Sequence, residues 1–392
     1  MKKILWIAAA LLAVSPLAAQ NATDAVLRSV EENNTTLRAL REEVAAEQLA
    51  NKTDIFLPGP DVEFSYLWGS PGGIGNRNDI RVTQSFDIAT ISGMKNRLAD
   101  DRNRLVGLQY KSERIKVLLE AKQYCIELTY YNALRAEVAK RLRYARTLAE
   151  GYGERLERGD ANRLEYNKAQ LNLSAVEGEM ARIEVERAAL LSQLARLNGG
   201  APVQFDDMLY GAQELPADFE AWYADAEQQN PLLQYVRTQV EVSKKEVKLN
   251  KTQALPTFSA GYMREKTLGQ AYQGVTVGMS IPLWGNKNKV KQAKTAVIAA
   301  EARQEEARQQ FYDQLQTLYL RADGLRQTAA KYRASLLSLN NTELLAKALN
   351  AGEISLLDYI VEIGLYYDTV NQALSAERDY RQAFADLSAV EL

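Results

Sequence analysis

The sequence contains no histidine, and this absence restricts the chemistry that the chain can perform. Histidine is the most frequent general acid or base, the base of the common nucleophilic triads and a ligand in many zinc sites. No phosphate-binding glycine motif is present either. We therefore predict no catalytic residues, no cofactor and no metal site, and an enzyme is the least favoured class of function.

Cysteine, proline and glycine are also scarce. Cys125 is the only cysteine, so the chain can form neither an internal disulfide nor a cysteine-cluster metal site. The 22 glycines and 9 prolines among 392 residues favour long helices over a loop-rich all-β fold. Lys and Arg number 48 against 50 Asp and Glu, so the basic excess typical of nucleic-acid binders is missing and we expect no nucleic-acid partner.

Long hydrophobic runs are missing except at the N-terminus. Lys2 and Lys3 precede an apolar run, Ile4 to Val14, and small residues follow it up to Ala19. This order is typical of a secretory signal peptide, which we assign to residues 1–19. The alternative is a buried N-terminal helix. No later apolar run reaches 18 residues, so we predict no transmembrane helix, and any passage through a membrane must use strands.

The remaining sequence contains an internal repeat, with two copies of one unit. Four short segments recur in the same order at an offset of roughly 192 to 198 residues, beginning at Asn34 and Asn230, Leu57 and Leu255, Gly93 and Gly285, and Gly159 and Gly352. Between them, apolar residues at coiled-coil seam spacing recur with the same phase, from Leu98 and from Val290. We assign a first repeat to 20–200, a linker to 201–217 and a second repeat to 218–392.

Both repeats have the same predicted plan. A helix (about 24–52 and 218–251) precedes a β-hairpin (61–88 and 257–283). A long helix then starts near 94 and near 287, and its apolar seam continues for some 45 to 50 residues. We expect it to turn near 140–146 and 332–338 into a return helix. Such helices need neighbours to cover their apolar seams.

The hairpin segments alternate between apolar and polar residues, as in Val62 to Trp68 and Val275 to Ile281. This pattern predicts one apolar and one polar face, which in a membrane wall would face lipid and water respectively. Aromatic residues lie at or near the predicted strand ends and are candidates for the membrane interface: Tyr66, Trp68, Tyr262, Tyr272 and Trp284. For any one of them, ordinary core packing is the alternative.

Four strands cannot close a barrel, because about eight are the minimum. One chain must therefore pool its strands with copies of itself, and three chains would give twelve strands in one shared barrel. The predicted fold class is mainly α with a small β part. Duplicated long-helix coiled-coil hairpins would form an α-helical barrel, and the strands would form a trimeric, 12-stranded β-barrel.

These features together resemble the TolC family of outer-membrane efflux proteins. Asn230-Pro231-Leu232-Leu233 is similar to the start of the family's repeat, and Leu255-Pro256 opens a strand as in the family. The segments 277–284 and 351–359 resemble its strand-to-helix and helix-break motifs. The resemblance covers essentially the whole chain after the signal peptide, and the CzcC/CusC-like members are the most similar. Two features depart from the pattern, since no cysteine is available for N-terminal lipidation and the first-repeat motif at 159–166 has drifted.

The resemblance implies a homotrimeric channel in the outer membrane with a periplasmic helical extension. Its partners would be a periplasmic adaptor (membrane fusion protein), an inner-membrane pump and the lipid bilayer. The exported substrate would be a small molecule or a metal ion, and the pump would supply energy and selectivity. The alternative is a soluble periplasmic helical scaffold or adaptor protein, whose hairpins would pack on a core.

The resemblance also implies a ring of carboxylates at the narrowest point, early in the return helix. Counting nine residues back from the two glycines selects Glu150 and Glu343, with Asn340 as a weaker polar candidate. A ring of like charges favours cations. The alternative is that each glutamate lies on a solvated helix face beside a basic residue.

Gly159 and Gly352 are predicted to end a helix, because glycine adopts a positive φ at low cost. Asp160 and Glu353 follow them and would help to start the next helix. A hinge for channel opening is the secondary interpretation of these four residues. Lys287, Lys289 and Lys291 follow Trp284, where they would line the tube, meet lipid headgroups or form a solvated face.

Overall fold

A computed structural model describes residues 16–392 of the chain. Most of the predicted signal peptide, residues 1–15, lies outside the described residues. None of the described helices combines the length and the hydropathy that crossing a membrane requires. The longer helices are α1 (Pro16–Asn33), α2 (Thr35–Ala50), α4 (Met94–Arg158), α5 (Arg163–Leu197), α6 (Phe219–Gln229), α7 (Pro231–Thr252), α8 (Lys289–Ser338), α9 (Thr342–Ala351) and α10 (Leu356–Leu387). A single turn, α3, covers Ile88–Ile91.

Four strands form one antiparallel sheet. They are β1 (Asp61–Leu67), β2 (Arg77–Phe86), β3 (Thr257–Thr267) and β4 (Gln270–Ser280), and their order in the sheet is β1-β2-β3-β4. The two hairpins come from different repeats and pair through β2 and β3. The prediction of a mainly helical chain with four strands is confirmed.

The described chain divides into two compact units. The helical unit contains residues 16–38, Glu113–Ala226 and Tyr312–Leu392, and the sheet-bearing unit contains Ala39–Ser112 and Glu227–Phe311. Each repeat therefore contributes residues to both units. A buried cluster in the helical unit surrounds Cys125, and burial raises the pKa of this thiol to about 12. Cys125 is thus a small, packed residue of the helical core.

The first helix of each repeat is split by an asparagine, whereas the sequence was expected to form one helix. Asn34 lies between α1 and α2, where its Oδ1 accepts a hydrogen bond from the Leu37 amide at 2.9 Å. Asn230 does the same for Leu233 at 3.0 Å, and Pro231 opens α7 behind it. Asparagine is a strong N-cap and proline fits the first helical position, so both residues favour a new helix start.

The long helix of the first repeat continues through residues 140–146, so the predicted turn into a return helix at this place is wrong. The segment contains no helix breaker, and its buried seam continues at seven-residue spacing through Val138, Ala145 and Tyr152. Helix α4 ends only at Arg158, before Gly159.

The long helix of the second repeat ends close to the expected place. Helix α8 stops at Ser338, and residues 339–341 separate it from α9. The two repeats differ here because Asn340 and Asn341 stand in the second repeat where the first has Thr147 and Leu148, at an offset of 193. Asparagine side chains compete for backbone hydrogen bonds, which disfavours a helix interior.

Candidate functional site

The four strands place apolar side chains on one face of the sheet. Directly opposed residues share a face, and one such row contains Val62, Val82, Tyr262 and Val275. Rows on either side carry further apolar residues of the same face: Phe64, Ile80, Phe86, Phe258, Ala260, Val277 and Met279. Most of these side chains are exposed in the chain, and Val275 reaches 87% exposure. The sheet therefore presents an uncovered apolar surface, which we call the apolar face.

The opposite face is polar and carries ion pairs between strands. Arg81 lies opposite Glu63, with 3.2 Å between Nη1 and Oε2. Arg77 contacts Asp79 at 2.9 Å and Glu265 at 3.1 Å. Such charges need water, so this face fits an aqueous surface.

Small residues crowd the polar face at the end of the sheet nearer the helices. Gly261 lies between Thr83 and Thr276, and a Cβ added to Gly278 would lie 2.6 Å from the Ser259 Oγ. A face lined with glycine, serine and threonine takes less room than one lined with phenylalanine and valine. The side-chain volumes therefore favour a sheet that curves around its polar face.

The predicted interface aromatics occupy three different environments. Tyr66 and Trp68 lie at the hairpin end of β1 with ring centroids 5.5 Å apart, and Trp284 follows β4 at the other end of the sheet. Trp68 and Trp284 are 80% and 81% exposed. Tyr262 lies at the middle of β3 and not near its end, because the ladder continues through Lys266 and Thr267. Tyr272 lies on the polar face opposite Glu265.

The helical unit places the two glycines at equivalent chain breaks. Gly159 follows α4 with a φ of 79°, and Gly352 caps α9 with a φ of 75°. Both glycines therefore end a helix in the left-handed region, as predicted.

Each break is followed by a matching capping box. The Glu165 amide donates to the Asn162 Oδ1 and the Asn162 amide donates back to the Glu165 carboxylate, both at 2.9 Å. Ser355 and Asp358 repeat this exchange at the start of α10. Asp160 and Glu353 lie two residues before the caps, so helix initiation belongs to Asn162 and Ser355 instead.

Sequence reasoning missed these capping residues, although their signal is present. Asn162-x-x-Glu165 and Ser355-x-x-Asp358 have the spacing of a capping box and lie 193 residues apart. Hydrogen bonds from Ser355 lower the pKa of the Asp358 carboxyl, and the Lys168 charge adds to this effect. The carboxylate is therefore held ionised near neutral pH.

The two breaks share one apolar cluster, which we call the tip cluster. Its buried members are Ala149, Tyr152, Ala169 and Leu356, and Leu349 and Ile360 pack against them. Residues from both repeats thus meet around the equivalent breaks of α4 and α9.

The predicted gate residues lie on the surface near these breaks. Glu150 is exposed within α4, eight residues before the end of that helix. Glu343 is exposed in the first turn of α9. Asn340 lies in the preceding break, where its Oδ1 accepts hydrogen bonds from the Thr342 amide and hydroxyl. The two glutamates therefore differ in setting, one inside a long helix and one at a helix start.

Comparison with known proteins gives a consistent result. Residues 222–390 match the family model described as outer membrane efflux protein. The alkaline protease secretion protein AprF of Pseudomonas aeruginosa is 25% identical over 253 residues, which cover 59% of this chain and 52% of AprF. The chain thus spans about half the length of this curated relative.

Solved structures share the fold at low sequence identity. The CmeC outer membrane channel of Campylobacter jejuni matches with a TM-score of 0.74 and 14% identity, covering 94% of this chain and 85% of that one. A CusC structure matches with a TM-score of 0.76 and 14% identity, covering 94% and 92%. Because the two identities are equal, the narrower CzcC/CusC-like assignment stays a prediction. The second repeat therefore matches the outer membrane efflux protein family, and the chain shares its fold with outer membrane channels of known structure.

Proposed function

We propose that the protein is the outer-membrane channel subunit of a tripartite efflux system and exports small molecules or metal ions. The observation that carries this proposal is the sheet, with one uncovered apolar face and one face crossed by ion pairs. A soluble scaffold would cover the apolar face with a core, because exposed apolar patches of this kind mark sites of interaction. A lipid bilayer covers such a face without further protein.

The strand order supports closure by three copies. Strands β1 and β4 are the two outer strands, and they run antiparallel because three antiparallel pairings separate them. β4 of one copy and β1 of the next can therefore continue the same ladder. Three copies give twelve strands, enough for a closed barrel without edges, whereas four are too few.

The placement of the apolar residues supports strands that cross a membrane at a slant. Strand β3 serves as the reference for comparing the outer strands. The apolar segment of β1 centres on Phe64, which the register places level with Arg264 of β3. The apolar segment of β4 centres on Val277, which is level with Ala260 of β3. The two centres are shifted by four residues across three strand spacings. With a rise of about 3.3 Å per residue and about 4.8 Å between neighbouring strands, this shift corresponds to strands tilted by about 40° from the membrane normal. Barrel strands have tilts in this range, so a level lipid belt fits the observed stagger.

The helical unit provides the second part of the proposed channel. The proposed partners at its end are a periplasmic adaptor and an inner-membrane pump. The proposed gate consists of Glu343 and Glu150 from each of three copies, with Asn340 as a further polar candidate. Both glutamates are exposed in the single chain, which leaves them free to face a shared axis. The chain itself would supply a passage and would leave selectivity and energy to the pump.

A polypeptide is the second candidate for the cargo. The name of the relative AprF concerns the secretion of an alkaline protease. The channel architecture is common to both cargo classes, so the choice between them depends on the partner pump.

Membrane fractionation with a mass determination in detergent tests the proposal. We expect the protein in the outer membrane and a detergent-requiring particle of three protomers. A monomer in the soluble periplasmic fraction would overturn the channel and favour the scaffold.

A pair of substitutions in β4 tests the orientation of the sheet. Val275→Arg places a charge on the apolar face, which costs about 2–4 kcal/mol at mid-membrane depth, so we expect loss of the assembled trimer from the membrane. Tyr272→Arg is the matched control, because it exchanges one large exposed side chain of the polar face for another, and it should assemble normally. Equal assembly of both variants would contradict a lipid-facing apolar face.

A further inference from the structure

The segment that contains strand β4 and the start of α8 has an unusual charge composition. Residues 267–300 contain four lysines, Lys287, Lys289, Lys291 and Lys294, and no Asp, Glu or Arg. All four side chains are exposed. Within the described part of the chain none of the four forms an ion pair, whereas Lys244 pairs with Glu301, just beyond the segment, at 2.8 Å. We call these four residues the lysine collar.

The first repeat shows that this arrangement is not a requirement of the fold. The equivalent segment also carries basic residues, but it includes Asp87, Asp100 and Asp101. Lys95 pairs with Asp87 at 3.3 Å, and Asp100 pairs with Lys52 at 3.5 Å. Asp101 pairs with Lys245.

The second repeat has no carboxylate at the three equivalent positions. At an offset of 192 residues, the three aspartates correspond to Met279, Gln292 and Ala293. The first-repeat segment therefore carries carboxylates among its basic residues, whereas the second-repeat segment offers the lysine collar none, so the ammonium groups are available to an external anion.

The position of the lysine collar suggests what that anion is. Ile281, Leu283 and Trp284 lie between the apolar face and the collar, and all three are exposed. The Lys287 amide donates to the Trp284 carbonyl at 3.2 Å, so the first lysine is held one tight turn from the indole. The chain thus passes from apolar to aromatic to basic side chains. This is the order of environments from the hydrocarbon core through the interface to the phosphate layer of a bilayer.

We propose that the lysine collar binds the headgroups of anionic phospholipids in the leaflet nearer the helices. The inference rests on the proposed function, because it requires the sheet to span a bilayer. Lysine suits this role, since its long apolar stem lies along the membrane edge while the ammonium group reaches the phosphates. Lipids with a net negative charge, such as phosphatidylglycerol, are the expected ligands, and zwitterionic phosphatidylcholine is not.

The test reconstitutes the full chain into vesicles of phosphatidylcholine with a minor fraction of phosphatidylglycerol. The trimer is then extracted gently, and its retained lipids are counted by mass spectrometry. We expect phosphatidylglycerol to be enriched about fivefold over its bulk fraction, consistent with about 1 kcal/mol for one lysine at a membrane surface. High salt should remove the enrichment, because the interaction is between charges at an exposed surface.

The decisive variant is Lys287→Gln/Lys291→Gln/Lys294→Gln, in which the enrichment should fall to the bulk ratio. The control Lys168→Gln/Lys331→Gln/Lys347→Gln removes the same charge from exposed positions in the helical unit and should retain it. Equal enrichment in both variants would overturn the proposal. The proposal would also be overturned if the collar variant kept the lipid enrichment but altered the anion permeability of the pore. That result would place the lysines along the water-filled path. Failure of the wild-type protein to insert would instead contradict the proposed function.

Discussion

Arg141 of α4 donates a hydrogen bond through Nη2 to the Oδ1 of Asn371 on α10, at 2.8 Å. Its guanidinium also lies 4.4 Å from the ring centroid of Tyr367, and Nη1 is 3.7 Å from a carboxylate oxygen of Glu179. Only 4% of the side chain is exposed, and its Nε has no hydrogen-bond partner. A buried charge with few partners makes each remaining contact important.

We expect Asn371→Leu to destabilise the helical unit by about 2–4 kcal/mol, because it removes a close partner of a buried charge. Arg141→Met should cost less, since the charge is removed together with its contacts. Denaturant unfolding of the detergent-solubilised protein, followed by circular dichroism, measures both. Arg146→Met is the control, because Arg146 is exposed and pairs only at 3.4 Å with Glu177. A smaller loss for Asn371→Leu than for Arg141→Met would contradict this account.

Gly352→Ala should destabilise the chain by about 1 kcal/mol, because a φ of 75° is costly for a residue with a Cβ. Gly159→Ala should have the same effect at the equivalent break. The control is Gly324→Ala inside α8, where no neighbouring atom lies near the added Cβ and alanine should stabilise the helix. Thermal unfolding of the three variants should therefore give two decreases and one increase in Tm. An unchanged Tm for both break variants would show that the positive φ is not required.

The repeat and the face of each strand were predictable from the sequence, because seven-residue and two-residue periods are local patterns. The end of α4 was not, since heptad spacing continues through Val138 and Ala145 and no local signal stops it before Gly159. The position of Tyr262 depended on where β3 ends, and the polar residues Lys266 and Thr267 continue the strand without an apolar alternation that would mark its end. The two capping boxes were missed because their signal is a pair of single residues three positions apart, which an analysis of apolar periodicity does not detect.

The break between α8 and α9 should depend on its two asparagines. Asn340→Ala/Asn341→Ala removes the side chains that compete for backbone hydrogen bonds, so we expect α8 and α9 to join into one helix, as in the first repeat. Hydrogen exchange of the amides at 339–342 should slow markedly. Asn350→Ala, inside α9, is the control and should leave the exchange at 339–342 unchanged. Fast exchange in the double variant would assign the break to tertiary packing.

The capping box of α10 predicts a specific acid sensitivity. The pKa of Asp358 is lowered in the folded state, so its contribution to stability is present above the unfolded-state pKa and is lost as the pH falls through the folded-state value. We expect the first turn of α10 to lose hydrogen-exchange protection below about pH 4. In Ser355→Ala the main hydrogen bond is missing, so protection should already be low at neutral pH and should change little with acid. Identical pH profiles for the two proteins would contradict the capping mechanism.

Ion selectivity tests the proposed gate. If Glu343 and Glu150 from three copies surround the path, their charges raise the local concentration of cations. Glu343→Gln and Glu150→Gln should then lower the permeability of K⁺ relative to Cl⁻ in planar bilayers, and the wild-type preference should weaken as the salt concentration rises. Glu305→Gln is the control, because it removes one exposed charge from the part of α8 that lies in the sheet-bearing unit. Glu343 lies at a helix start and Glu150 inside a long helix, so the two glutamates need not contribute equally to the selectivity. An effect of Glu343→Gln alone would assign the constriction to α9. An unchanged permeability ratio in both variants would place both glutamates outside the path and return them to the solvated face of their helices.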